Sequence, residues 1–124
     1  MRGQQEAVSR GALAQDMAAL YLRLGGLSIL DANRRGAGGE IDLLARDEDT
    51  LVFVEVRLRG AASWSTAAAS IGPGKRARLR QCARHLLRHR EDLRWTGRQL
   101  RFDVVAIDLE DSGCRLRHLR GVRI

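Results

Sequence analysis

The sequence predicts an α/β domain of two layers, in which helices flank a mixed central sheet, and three observations support this fold class. The chain has 124 residues, the ordinary size of one domain, so we expect a single domain over residues 1–124. A helical period of apolar residues near the N-terminus precedes three short runs that resemble strands. A second helical period and two more strand-like runs follow. This order is typical of a sheet with helices packed on it.

Two segments have the periodicity of helices. In residues 5–24 the apolar side chains fall mostly on one face, and the pair of glycines that follows supplies a stop. Residues 75–93 come after a proline and form a strongly basic helix. Its predicted buried stripe comprises Leu79, Cys82, Ala83, Leu86 and Leu87. Residues 60–74, in front of this helix, are rich in Gly, Ser and Ala and therefore predict a mobile surface loop.

The strand-like runs begin with "LSILDANRR" at 27–35, a short apolar stretch that leads into a turn rich in Gly and Arg. The runs at 39–46 and 51–59 are separated by the polar "DEDT", which predicts a hairpin. Residues 99–108 form a further clear strand. Residues 114–124 alternate apolar and basic side chains, as a half-exposed edge strand does.

The hairpin carries three carboxylates, Glu40, Asp42 and Glu55, where buried strands usually keep apolar side chains. Because side chains alternate across a strand, Glu40 and Asp42 should share a face that Ile41 does not. If "DEDT" is a four-residue turn, Asp42 lies opposite Glu55, and Glu40 lies opposite Arg57. Directly opposed residues have Cβ atoms about 4.5–5.5 Å apart. We therefore expect the carboxylates of Asp42 and Glu55 on one face of the sheet, near enough to share an ion.

Two carboxylates at this separation repel each other, so they must be separated, protonated or bridged by a cation. A hard divalent ion such as Mg²⁺ binds well to two converging carboxylates, with water in its other positions. Arg57, two residues after Glu55, would add positive charge beside that ion. The spacing leaves another interpretation open, in which Glu40 and Arg57 form a plain ion pair and the other two carboxylates are exposed on a solvated face.

The chain is basic, with a formal net charge of +7, and Lys75 is its only lysine. This balance favours a polyanionic partner, with nucleic acid as the first candidate. An arginine-rich surface that only keeps the protein soluble is the alternative. The predicted basic helix is the candidate contact surface, because arginine offers bidentate geometry to phosphate oxygens. Its candidate nucleic-acid-binding residues are Lys75, Arg76, Arg80 and Arg84.

The two cysteines, Cys82 and Cys114, have no CxxC partner and predict reduced thiols in a cytoplasmic protein. The N-terminus has no apolar stretch of signal-peptide length, and no segment approaches the roughly 20 apolar residues of a membrane span. Asp103 lies in an apolar strand, and we expect it to play a structural role by holding an arginine. The three histidines should lie on basic surfaces as bystanders: His85, His89 and His118.

Several segments carry a resemblance to a known family: "GEIDLLA", "FVEVRLR", a lysine directly before a helix, and "RFDVV". Together with "GALAQDMAALYLRLGG" and "ILDANRR", in the expected order, they cover nearly the whole chain. The chain resembles the YraN-like family of small bacterial proteins. That family is in turn similar to the PD-(D/E)XK nuclease superfamily, to which restriction endonucleases and archaeal Holliday-junction resolvases belong.

The resemblance implies a restriction endonuclease-like fold and an endonuclease that uses Mg²⁺ or Mn²⁺ to hydrolyse the phosphodiesters of DNA. It implies that Asp42 is the metal-binding aspartate and that Glu55 is the second carboxylate. It also implies that Arg57 stands where a catalytic lysine is usual, and that Lys75 lies near the active site.

Two positions depart from the pattern of the family. Gln15, beside Asp16, holds the place of a first-helix glutamate that helps to bind metal in the related resolvases. Arg57 replaces lysine, and a guanidinium stabilises developing charge but does not transfer a proton. Gln15 and Glu40 are therefore added as candidate site residues. Three hypotheses stay open: a slow nuclease, a nucleic-acid-binding protein that keeps the fold without the chemistry, and a basic accessory of an RNA–protein particle. A homodimer is a further candidate assembly.

Overall fold

The computed structural model describes residues 2–36, 38–59, 71–89 and 99–124. These residues form two helices and five strands in the predicted order. In chain order the elements are α1 (Arg2–Leu24), β1 (Ser28–Gly36), β2 (Gly39–Asp47), β3 (Thr50–Arg59), α2 (Pro73–His89), β4 (Gln99–Glu110) and β5 (Gly113–Leu119). Neither helix is long and apolar enough to cross a membrane.

The strands form one sheet in the order β1-β2-β3-β4-β5. Only β3 and β4 run parallel, with α2 in the connection between them, and the other neighbours are antiparallel. The sheet is therefore mixed and flanked by helices, which confirms the predicted α/β class. β5 lies at an edge of the sheet, as its alternating apolar and basic side chains predicted.

Alternation along β3 divides the core between the two helices. Val52 and Val54 pack in a cluster that includes Ala18 and Leu22 of α1. Phe53 and its neighbour Leu51 instead join a cluster with the apolar stripe of α2. Each face of the sheet is thus covered by one helix, and the aliphatic composition of the chain supplies both interfaces. Strand β3 therefore lies between the two helices, and its side chains point alternately towards α1 and α2.

Several predicted boundaries were wrong. Helix α1 begins at Arg2 rather than at residue 5, and β5 ends at Leu119, before the predicted 124. Helix α2 begins at Pro73, since proline is well tolerated in the first turn, where no intrahelical donor is needed. Residues 60–70 of the predicted loop and 90–93 of the predicted helix lie outside the described residues.

Two apolar positions were also predicted wrongly. Leu87 is 37% exposed, because it is one residue past Leu86 and so points about 100° away from the buried stripe. Ile71, assigned to the surface loop, is only 2% exposed and belongs to the core under α2. Its carbonyl accepts a hydrogen bond of 2.9 Å from Nε of Arg76, which fixes the entry into the helix.

Candidate active site at the open end of the hairpin

The β2–β3 hairpin has the predicted register with a tighter turn. Asp47 pairs with Thr50, so the turn contains only Glu48 and Asp49, and Glu48 adopts a positive φ of 52°. The four-residue turn was therefore wrong. The register is unaffected, because one residue was added to each strand, and it continues as predicted to the pair Leu43↔Val54.

Beyond that pair the backbone ladder between β2 and β3 ends, and a side chain takes its place. Oδ2 of Asp42 accepts a hydrogen bond of 2.8 Å from the backbone N–H of Val56. The carboxylate thus spans the gap between the separating strands. Because the pleat is no longer imposed here, Ile41 packs in the cluster under α2 together with Leu44. Strict alternation along β2 would place Ile41 on the face away from Leu44, so the alternation that the sequence predicted does not extend to Ile41.

Asp42 and Glu55 interact at the point where the strands separate. Burial raises the pKa of Asp42, and the negative charge of Glu55 raises it further, to about 7, although the bond from Val56 opposes this shift. Glu40 adds a smaller contribution in the same direction. Near neutral pH the pair therefore carries an unfavourable repulsion that a proton or a cation relieves. That the pair holds a metal stays a prediction.

Two cationic groups approach Glu55, which is itself buried. Nζ of Lys75, from the first turn of α2, lies 2.5 Å from Oε1 of Glu55. Nη1 of Arg57 lies 3.8 Å from the same oxygen. Among the described residues Arg57 pairs with Glu55 and not with Glu40, so the ion pair of the alternative interpretation is not formed. The nearest cation to the second carboxylate comes from a different element of the chain.

An open cleft of about 530 Å³ lies between α1 and the hairpin, beside Asp42. Gln15 and Asp16 line it from the helix, and Glu40 lines it from the strand. Glu40 also borders a smaller depression that contains Glu55 and Lys75. The residues that the sequence singled out from α1, β2, β3 and α2 therefore meet in one region.

Few of the described side chains at this site could bind a metal. Across residues 2–36, 38–59, 71–89 and 99–124, no three His, Cys, Asp or Glu side chains come together as a metal-binding group. Asp42 and Glu55 would accordingly supply the protein ligands alone. This is compatible with Mg²⁺, which keeps several waters and commonly takes one or two carboxylates together with substrate phosphate.

The predicted nucleic-acid-binding residues of α2 differ in their contacts. Arg80 donates from Nη1 to the backbone carbonyl of Ile124 at 2.5 Å, and Arg76 donates to Ile71. Lys75 contacts Glu55. Arg84 is exposed. Two of the four residues therefore hold neighbouring chain segments in place, and one belongs to the carboxylate site. Their contact with nucleic acid stays a prediction.

A second buried carboxylate lies elsewhere on the sheet. Both oxygens of Asp103 are bound by Arg101, at 2.8 and 3.0 Å, and Nε2 of His118 lies 2.8 Å from Oδ2. The backbone N–H of Gly121 donates to Oδ1 at 3.1 Å, and Arg101 also reaches Asp47 at 2.9 Å. Burial alone would raise the pKa of Asp103, but the hydrogen bonds from His118 and Arg101 outweigh it, so the pKa lies below its usual value.

Asp103 therefore holds an arginine as expected, whereas the expectation for His118 was wrong. The side chain of His118 is only 4% exposed and also meets the ring of Tyr21 edge-on at 5.6 Å. The basic residues of the predicted edge strand suggested that His118 lies on a solvent-exposed surface. The signal that sequence reasoning missed is the buried acid on the adjacent strand, which requires partners.

Comparison with known proteins identifies the family. Residues 14–107 match the model of "Uncharacterised protein family UPF0102". A UPF0102 protein of Dechloromonas aromatica (strain RCB) is 43% identical over 110 residues, which cover 89% of this chain and 88% of the relative. A UPF0102 protein of Syntrophus aciditrophicus (strain SB) is 39% identical over 110 residues, which cover 89% and 84%. One from Pseudomonas aeruginosa (strain LESB58) is 40% identical over 112 residues, which cover 90% and 88%. The YraN-like resemblance is confirmed, and the chain belongs to the UPF0102 family.

Proposed function

We propose that this protein is a metal-dependent, nuclease-like enzyme that hydrolyses phosphodiesters of nucleic acid, with DNA as the first candidate substrate. The observation that carries the proposal is the pair of Asp42 and Glu55, with Lys75 at 2.5 Å from Glu55, at the open end of the hairpin. The resemblance to PD-(D/E)XK nucleases supports the same assignment.

The electrostatics of the pair favour a cation. A carboxylate whose pKa is raised to about 7 by burial and by a second carboxylate is stabilised when a divalent ion neutralises both groups. The structural salt bridge to Lys75 neutralises only one of the two negative charges. Asp42 and Glu55 would hold one Mg²⁺ or Mn²⁺, leaving the remaining positions of the ion for water and a substrate phosphate oxygen.

The chain supplies two positive groups for the chemistry. When bound, a divalent ion supplies a water of lowered pKa and neutralises developing negative charge. Lys75 carries an amine, which can orient a water and exchange a proton with it, whereas the guanidinium of Arg57 cannot. Arg57 would stabilise charge on the phosphoryl oxygens in the transition state. In this proposal Lys75, from helix α2, replaces the lysine that is missing at position 57.

Substrate approach is favoured by charge. The net charge of +7 and the exposed arginines of α2, beside the site, provide a sequence-independent attraction for phosphates. Association should weaken steeply as salt rises. Lys75 and Arg57 would then belong to the chemistry, and the outer face of α2, with Arg84, to the binding.

The decisive experiment measures metal binding and cleavage on matched variants. Mn²⁺ titration by calorimetry should give one site that Glu55→Gln and Asp42→Asn each weaken at least tenfold. Asp49→Asn, an exposed carboxylate in the turn of the same hairpin, should leave it unchanged. Lys75→Ala should retain Mn²⁺ binding and lose cleavage of linear, branched or single-stranded nucleic acid. If Mn²⁺ binding is the same in all four variants, the metal site is absent.

A non-catalytic nucleic-acid-binding protein is the second candidate. The observation that favours it is the short contact between Lys75 and Glu55, because a lysine that serves only as the counter-ion of a buried glutamate needs no metal. This alternative predicts salt-dependent binding with no cleavage under Mg²⁺ or Mn²⁺ on any of those substrates. Glu55→Gln would then leave nucleic-acid affinity unchanged and lower only stability.

A further inference from the structure

Helix α1 has a second apolar stripe that faces away from the sheet. Leu13, Leu20 and Leu24 are 59%, 57% and 81% exposed, and Met17 lies between them, half-buried. Their spacing of four, three and four residues is the a/d pattern of a coiled-coil seam. The opposite face of the helix is already used, since Ala18 and its neighbours pack on the sheet. Large exposed leucines in one line on an ordered helix are typical of an interaction surface.

The charges beside this stripe favour a second copy of the same chain. Asp16 and Arg23 each occupy the position directly before an apolar residue of the stripe, and both are exposed. Neither forms an ion pair with another described residue. In an antiparallel pair of such helices these positions face each other across the seam, so Asp16 of one copy meets Arg23 of the other, twice by symmetry.

A parallel pair lacks this complementarity. There Asp16 would face Tyr21 and Arg23 would face position 28, beyond the end of the helix, so neither would meet an opposite charge. We propose that α1 forms an antiparallel, two-fold interface between two copies of the chain, centred between Met17 and Leu20. Leu13 of one copy packs beside Leu24 of the other, and Met17 packs beside Leu20. Asp16 also lines the cleft beside Asp42, but the apolar stripe includes neither Asp42 nor Glu55, so dimerisation can be tested apart from metal binding.

Sedimentation velocity over a micromolar concentration series tests the surface. The wild-type chain should show a concentration-dependent equilibrium between monomer and dimer, and Leu20→Glu should sediment as a monomer throughout. Leu87→Glu, which places the same charge on an exposed leucine of α2, should dimerise like the wild type. Circular dichroism checks that each variant keeps its fold, which is expected because both leucines are exposed. A wild-type monomer at every concentration, or a dimer that survives Leu20→Glu, overturns the proposal.

Charge reversal and cross-linking test the orientation. Arg23→Glu should weaken dimerisation at least threefold, because it sets two acids together, and Asp16→Lys in the same chain should restore it. In a Cys114→Ser background, Leu13→Cys combined with Leu24→Cys should give a disulfide-linked dimer on mild oxidation, whereas Leu13→Cys alone should not. The remaining thiol, Cys82, is buried. Efficient cross-linking of Leu13→Cys alone, or no rescue by the double charge exchange, overturns the antiparallel arrangement.

Discussion

The carboxylate clusters around Asp103 and around Asp42 have opposite electrostatics. Asp103 is enclosed by Arg101, His118 and a backbone N–H, and its pKa is lowered. Asp42 faces a second carboxylate, and its pKa is raised to about 7. The first cluster is complete within the protein, since every charge has a partner. The second is left with excess negative charge, which is a property of sites that bind a cation or transfer a proton.

This difference separates a structural cluster from a candidate functional one. The Asp103 cluster joins β4, β5 and, through Asp47, the end of β2, so its bonds serve the fold. At the open end of the hairpin Glu55 is paired with Lys75, but Asp42 accepts only from Val56 and its repulsion by Glu55 costs stability at neutral pH. Substitutions of Asp103 and of Asp42 should therefore change stability in opposite directions.

The largest effect is expected at Asp103. Asp103→Ala removes the shared partner of Arg101 and His118 and should lower the free energy of unfolding by about 3–5 kcal/mol, the usual cost of breaking a buried ion pair. Urea unfolding followed by circular dichroism measures it. Asp47→Ala provides the matched control, because it removes only the half-buried second partner of Arg101 and should cost about 1 kcal/mol or less. Equal losses in the two variants would contradict a central role for Asp103.

Asp42→Asn should instead raise the free energy of unfolding at neutral and alkaline pH. The folded state holds its proton on Asp42 up to a pH of about 7, whereas the unfolded chain releases it near 3.8. Between these values the native state binds more protons, so stability falls as pH rises through about 7. Above pH 8 the amide, which still accepts from Val56, should make the protein more stable by on the order of 1–2 kcal/mol. Thermal unfolding of both proteins from pH 4 to 9 checks this.

A wild-type protein whose stability is flat between pH 4 and 8, relative to Asp42→Asn, would show that neither burial nor the charge of Glu55 raises the pKa of Asp42. Asp49→Asn, at the exposed turn, is the control for a general effect of removing one negative charge. Asp103 does not interfere in this range, because its lowered pKa places its own loss of stability at more acidic pH.

The sequence predicted the hairpin that carries Asp42 and Glu55, but it did not predict the contacts between residues that are distant in the chain. Alternation and turn composition predicted the hairpin register, which brought Asp42 towards Glu55, since both residues lie on adjacent strands. The position of Lys75 was expected only from the family resemblance. Nothing local in the chain states that the first turn of α2 lies over Glu55, because that contact depends on how the crossover between β3 and β4 packs. His118 was misassigned for the same reason, as its partner lies on another strand.

Departures from ideal strand geometry were also beyond the sequence. Where the side chain of Asp42 replaces a backbone hydrogen bond between β2 and β3, Ile41 turns towards α2. The pattern of apolar residues does not predict where regular strand pairing ends. The exposed stripe of α1 shows the reverse case. A helical period with apolar residues on two faces was interpreted as a single buried face, and only the exposures of Leu13 and Leu20 separated the two.

Metal binding should depend on pH in the sense set by Asp42. An ion must displace the proton of Asp42, so affinity for Mn²⁺ should rise about tenfold per pH unit below a pH of about 7 and level off above it. Calorimetric titrations between pH 5.5 and 8.5 measure this slope. In Asp42→Asn the residual binding should lose most of the dependence. A slope that persists unchanged in the variant would assign the displaced proton to another group.

The smallest effects are expected from introducing the residues that the resemblance to nucleases implies, glutamate at position 15 and lysine at position 57. Gln15 lines the same cleft as Asp42, so Gln15→Glu should raise Mn²⁺ affinity a few-fold by adding a third carboxylate.

Arg57→Lys should raise cleavage only slightly, because Lys75 already supplies an amine 2.5 Å from Glu55, whereas Arg57 lies at 3.8 Å. Single-turnover cleavage with Mn²⁺, measured on both variants and on Lys75→Ala, orders these contributions. If adding Arg57→Lys to the Lys75→Ala variant restores cleavage, a lysine at either position can serve the reaction, whether it comes from β3 or from α2. If it raises cleavage strongly in the otherwise unchanged chain, Lys75 is a counter-ion of Glu55 rather than a catalytic group, and the chemistry depends on the position two residues after the glutamate.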